Sequence, residues 1–293
     1  MTDTVQLSPP PSFGAVLARQ FRSVGLAARW EAAAITGLLA LAAVAAIVTR
    51  VGASEEHVGQ AGGLPVFVIV GLLAPFVFWK GERLHTHPQL WTLPVERRRH
   101  AAAKALAGWG WLMLSIAGFL FWLVMVTLLS GGGLGGEQAE LLLPPGALDG
   151  PVPRETLTEA RWSKDWTWAA PFGAGTVAYL FGTALVVGFK RPLLWLALGV
   201  LGFVGLLVLQ AEVLGAGPVR AAIREVLSGP FGFARAMSGG VWDLSVEYLD
   251  ADGRTVVAWT AVQTMAAWLQ ALAVWLAAGG LALWAALLRH PAG

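Results

Sequence analysis

His85 and His87, one residue apart in "LHTHP", form an H-x-H pair that offers a metal ion two imidazoles. A closed structural zinc site takes about four protein ligands and an open catalytic one about three. The chain has no cysteine to complete such a set, so solvated loop histidines beside a protein contact are the preferred reading. Other chemistries lack their residues. There is no G-x-x-x-x-G-K-[ST] phosphate cradle, and neither His-Glu-x-x-His nor Gly-x-Ser-x-Gly occurs. Zero Cys excludes thiol catalysis and disulfides. All five histidines (His57, His85, His87, His100, His290) lie outside the apolar runs, which argues against haem held between helices. No Asp, Glu, Lys or Arg falls inside those runs, where ion-coupled carriers place their charged groups. We expect a non-catalytic chain with no metal and no cofactor of its own.

What remains is architecture. The 293 residues are 56% hydrophobic and 13% charged, against about 25% charged in soluble domains. Fifteen Trp and two Tyr fit rings placed in interfacial belts. A bilayer core needs about 20 mostly apolar residues per helix. Six runs answer to this, at Ala32–Val48, Leu64–Trp79, Ala105–Leu129, Trp168–Phe189, Pro192–Leu209 and Val257–Leu288. The last exceeds one span, so it is expected to tilt or to begin outside as a helical extension, with Gly279 and Gly280 as a bend. The expected fold is an all-α polytopic membrane protein with six transmembrane helices. Residues 1–30 form the cytoplasmic N-terminus and 31–293 the membrane domain.

Charge orients the spans. With the N-terminus, the 80–104 bridge, the 190–191 turn and the C-terminus on one side, that side holds twelve Lys+Arg and four Asp+Glu. The other side holds eight and fourteen. The positive-inside rule puts both termini in the cytoplasm of a multi-pass inner-membrane protein.

Residues 12–30 read as an amphipathic elbow helix. Phe13, Val16, Leu17, Phe21 and Val24 share one arc, and Arg19, Arg22 and Arg29 share the opposite one. Such a helix lies in the inner headgroup layer; the alternative is a helix packed on a partner. Outside, residues 130–167 read as loop with a short helix from Arg154. Within 211–256 a short helix follows Pro218, and alternation around Asp252-Gly253 predicts a β-hairpin. Together these make a small external cap.

The bridge "FWKGERLHTHPQLWTLPVERRRHAAAKALAGW" (78–109) carries six of the twenty Lys+Arg. Pro88 and Pro94 punctuate it and leave room for a short helix around Gln89–Leu93. Leu90, Trp91 and Leu93 are apolar anchors rimmed by Glu82, Arg83, His87, Arg97 and Arg98, the composition of a protein contact. The alternative seats Trp91 in the headgroups and Arg97–Arg99 on anionic lipid. From the Arg triplet a helix is expected to run on into the membrane.

An elbow helix, six spans and this bridge together resemble the permease subunit of an ABC-2-type ABC transporter. In that family the bridge reads as a Glu soon after span two, a Leu-containing stretch, Pro-x-x-Arg, and a Lys entering span three. Here those places hold Glu82, "LWTL" at 90–93, Pro94, Arg97 and Arg98, and Lys104. The long 130–167 loop and the hairpin depart from the family's pattern. The resemblance implies an exporter whose bridge, with the elbow (Phe13, Leu17, Arg19, Phe21, Arg22), couples it to a separate ATPase subunit holding ATP and Mg. It also implies a second permease copy or a related permease, and no nucleic acid. The alternatives are a membrane scaffold or assembly factor gripping an external or periplasmic protein through its outer loops, and a secondary carrier or membrane enzyme without recognisable groups.

Overall fold

The computed structural model describes residues 11–49, 66–80, 97–131, 138–143, 154–162, 165–212, 222–223, 225–227, 229–237, 245–249, 255–259 and 264–289. Helices dominate. α1 (Phe13–Ala27) starts at Ser12, whose hydroxyl accepts the Ala15 N–H at 3.3 Å and satisfies one free donor of the first turn. One residue, Ala28, separates it from α2 (Arg29–Thr49). There follow α3 (Val66–Phe78), α4 (Arg97–Leu129), α5 (Ala170–Gly188), α6 (Pro192–Glu212), the single-turn α7 (Phe233–Met237) and α8 (Met265–Leu288).

Among the described residues, four helical segments are long and apolar enough to cross a membrane: Arg29–Val48, Arg98–Leu129, Thr167–Gly188 and Met265–Leu288. Val66–Phe78 and Pro192–Gly205 are shorter apolar helices at the second and fifth of the six expected positions. The expected helix from the Arg triplet is present, because α4 begins at Arg97 and continues unbroken for 33 residues. At 1.5 Å per residue that is about 50 Å, against a hydrocarbon core of about 30 Å. Its basic first turns therefore extend beyond the span.

α5 is the central helix, with most of its length buried. Glycines let α3 lie against it backbone to backbone. A Cβ on Gly71 would sit 2.5 Å from the Gly175 carbonyl oxygen, and one on Gly182 would collide with the Leu72 carbonyl. In lipid, where apolar association gains little, such close approach is what holds helices together. Gly173 meets Trp268 and Leu272 of α8, Gly279 meets Leu180, and Gly188 meets Ala286, so α5 and α8 run in the same direction. α4 runs the other way, with Gly108 at Tyr179 and Ile116 at Gly175. α2 and α6 lie outside this core. Leu38, Leu41 and Val44 of α2 and Leu198, Leu201 and Phe203 of α6 are all exposed.

Residues 130–167 and 211–259 contain more strand than expected. The predicted hairpin is present as β3 (Ser245–Leu249) antiparallel to β4 (Thr255–Trp259). The 130–167 segment, expected as loop, holds a second antiparallel pair, β1 (Gln138–Leu142) and β2 (Thr158–Trp162). The helix expected from Arg154 is only a 3-10 turn, Arg154–Thr156. β1 joins β4 in parallel at Leu142 opposite Trp259, where the Leu143 N–H donates to the Trp259 carbonyl at 2.7 Å. A four-stranded sheet in the order β2-β1-β4-β3 results. Helical residues at 222–223 and 225–227 fall where the short helix after Pro218 was expected. The helical extension expected from Val257 is instead strand β4, because its residues up to Trp259 take their backbone partners from the sheet. α8 starts only at Met265, capped by the Thr264 hydroxyl, and runs through Gly279 and Gly280 without a break. Gly279 is a close-packing position against Leu180.

Candidate functional site at the basic end of the helices

The parallel course of α3, α5 and α8 brings their C-terminal ends to the end of the molecule where α4 begins. The 189–191 turn and the close of α8 meet there: the Arg289 guanidinium lies 5.4 Å from the centre of the Phe189 ring, which packs on Trp195. Lys190 and Arg191 are exposed. Twelve basic residues were assigned to one side by charge alone, and those in the described segments gather here.

The two ends of the bridge are held together. Trp79 directly follows α3, its N–H bonded to the Pro75 carbonyl at 2.9 Å, and is 2% exposed. Lys104, on the second turn of α4, is equally buried and places its ammonium 5.1 Å from the centre of the Trp79 ring. An ammonium over an indole face is attracted by the ring's negative centre, more strongly where water is excluded. At the next residue, the Tyr179 hydroxyl donates to the Ala105 carbonyl at 2.8 Å and ties α5 to the same place. Lys80 lies 3.6 Å from Glu31, but both are well exposed, so this pair contributes little.

The elbow segment clasps α4 from outside. Val16 and Val24 are buried, Leu17 and Phe21 half-buried, and Phe13 exposed. Arg19 and Arg22 face away, as the pattern predicts. The apolar arc does not lie on lipid alone: Phe21 stacks on Trp111 at 4.9 Å, and the Trp111 indole N–H donates to the Phe21 carbonyl at 2.8 Å. Gly25 leaves room for that ring, since a Cβ would come within 2.7 Å of it. Sequence reasoning missed Gln20, which is buried and pairs with the His100 ring nitrogen at 3.4 Å. Its signal was present: Gln20 lies midway between Val16 and Val24 on the same arc, a polar residue where the pattern asks for an apolar one.

Of the bridge residues singled out from sequence, Glu82, Arg83, His87, Leu90, Trp91, Leu93 and Pro94 lie outside the described residues, as does the helix expected at Gln89–Leu93. Arg97 opens α4. Arg98 is half-buried, and among the described residues neither its Nε nor the Trp79 indole N–H at the other end of the bridge finds a hydrogen-bond partner. Buried donors are nearly always bonded, so each end of the bridge keeps one unused. Among the described residues no group of His, Asp and Glu is placed to hold a metal. The arrangement can transmit a displacement: a pull on the bridge acts on α3 through Trp79 and on α4 through its first turns. Comparison with family models, with curated proteins and with solved structures returned no match.

Proposed function

We propose that this chain is the permease subunit of an ATP-driven ABC transporter of the ABC-2 type, an exporter that crosses the inner membrane six times with both termini in the cytoplasm. The observation that carries the reading is the contact of Lys104 with Trp79. It joins the two ends of a bridge whose residues follow the family's pattern, on helices that enter the central packing. Two permeases face each other, each resting on an ATPase subunit that holds ATP and Mg. Closure of the ATPase pair pushes the bridge and elbow, and α3 and α4 tilt about α5. A partner shifts such an equilibrium only by its differential affinity for the two states, so the bridge must grip the closed ATPase better than the open one. Trp91 is the expected anchor. Trp91→Ala should leave the permease in the membrane but separate ATP hydrolysis from transport in vesicles containing permease and its co-purified ATPase. Transport and hydrolysis both unchanged would discard the assignment.

The external four-stranded sheet favours a second reading, a membrane scaffold or assembly factor holding an outer protein. Pull-down from membranes separates the two. A Walker-motif partner lost on mutating 80–104 supports the first, and a partner retained through 130–167 or 211–256 alone supports the second.

A further inference from the structure

Among the described residues nothing pairs with the outer edge of β2, which ends the sheet on one side as β3 ends it on the other. An open edge is a template for another strand. We infer that the β2 edge pairs antiparallel with the β2 edge of a second copy of this chain, joining two external sheets into one across a two-fold axis. The inference rests on the two-permease reading and adds to it the surface by which the outer faces meet.

The charges choose both strand and register. In an antiparallel pair related by a two-fold axis, residues opposite one another must share a face, so the axis passes through a residue and not between two. Centred on Ala160, the five residues of β2 all find partners, and Glu159 of each copy stands opposite Arg161 of the other. These two side chains are exposed and already lean together within one strand, 3.7 Å apart. Centring on Glu159 or on Arg161 would set like charges opposite and shorten the overlap. Opposite charges directly across a strand pair stabilise it and like charges destabilise it. β3 fails the same test, because its midpoint is Glu247 and symmetric pairing would oppose two carboxylates. An isologous contact of this kind closes on itself at two copies and does not propagate.

The absence of native cysteine makes the register directly testable. Directly opposed residues in antiparallel strands have Cα atoms about 4.5–5.5 Å apart, inside the range of about 4.4–6.8 Å that a disulfide spans. Ala160→Cys in membranes under mild oxidation should yield a two-copy band. Glu159→Cys alone should not, while Glu159→Cys co-expressed with Arg161→Cys should. Glu247→Cys on β3 is the control and should stay uncrosslinked. The charge swap gives a second readout: Glu159→Arg in the Ala160→Cys background should lose the band, and Glu159→Arg with Arg161→Glu should regain it.

The size of the unmodified protein in mild detergent is measured alongside. A two-copy particle with no bridge at Ala160 overturns the β2 contact and leaves the two-permease reading standing. A lone chain without any bridge overturns both. Equal bridging from Glu247→Cys marks random collision, and a bridge to a different polypeptide marks another strand on this edge; either overturns the proposal.

Discussion

Lys104 shows how one side chain can be placed by its surroundings and yet be readable only in part. Its position, the eighth residue of α4, is where a long stem can lie along apolar surface while the ammonium seeks something to stabilise it. Trp79 supplies the face of its ring. Lys104→Glu replaces attraction to that ring with repulsion, at a cost of about 2 kcal/mol or more for so buried a contact. Its melting temperature in detergent should fall well below that of Lys104→Arg, which keeps charge and stacking. Equal melting for the two variants would mean that the Trp79 contact contributes nothing. The pattern in the bridge pointed to Lys104, but nothing local pointed to Trp79 as its partner, because the two lie 25 positions apart and meet only through the return of the chain.

At the scale of the element, the helices divide into those packed closely through glycine and those, α2 and α6, that lie mostly exposed, α2 held by the Trp122 indole N–H donating to the Leu39 carbonyl at 3.1 Å. Gly71→Leu drives a side chain into the Gly175 backbone, which has no flexible end to yield. Overpacking of this kind costs about 1–3 kcal/mol. Gly199→Leu on α6 meets open space and should be neutral or gain up to about 1 kcal/mol from helix propensity. Thermal unfolding of the two variants compares them, and an equal effect would refute the α3–α5 contact. In sequence both glycines sit in similar apolar runs. Which one faces a neighbour depends on helix rotation, and an apolar run with no polar side has no periodicity to reveal it. The strands divide in the same way. β3 and β4 were legible from alternation around Asp252-Gly253, whereas Asp149-Gly150 in "LPPGALDGPVP" adjoins neither β1 nor β2 and so gives no sign of their pairing across the long connection.

For the whole molecule, orientation is the testable quantity. Thr158 on β2 and Lys190 in the α5–α6 turn are both exposed and belong to opposite ends. In intact cells a membrane-impermeant maleimide should label Thr158→Cys and spare Lys190→Cys until the membrane is opened. The reverse pattern would place the bridge outside, where no cytoplasmic ATPase can reach it.

Composition and the apolar runs were enough, from sequence alone, to determine a mostly helical chain with helices apolar enough for a membrane, since each reports a local transfer energy between water and lipid. The tertiary structure decided the rest: α1 clasped on α4, α5 at the centre, Trp79 under Lys104, and the joining of two segments distant in sequence through Leu142 and Trp259. These depend on which residues the folded chain brings side by side. Pairing energies between positions far apart in sequence leave no periodic trace along it.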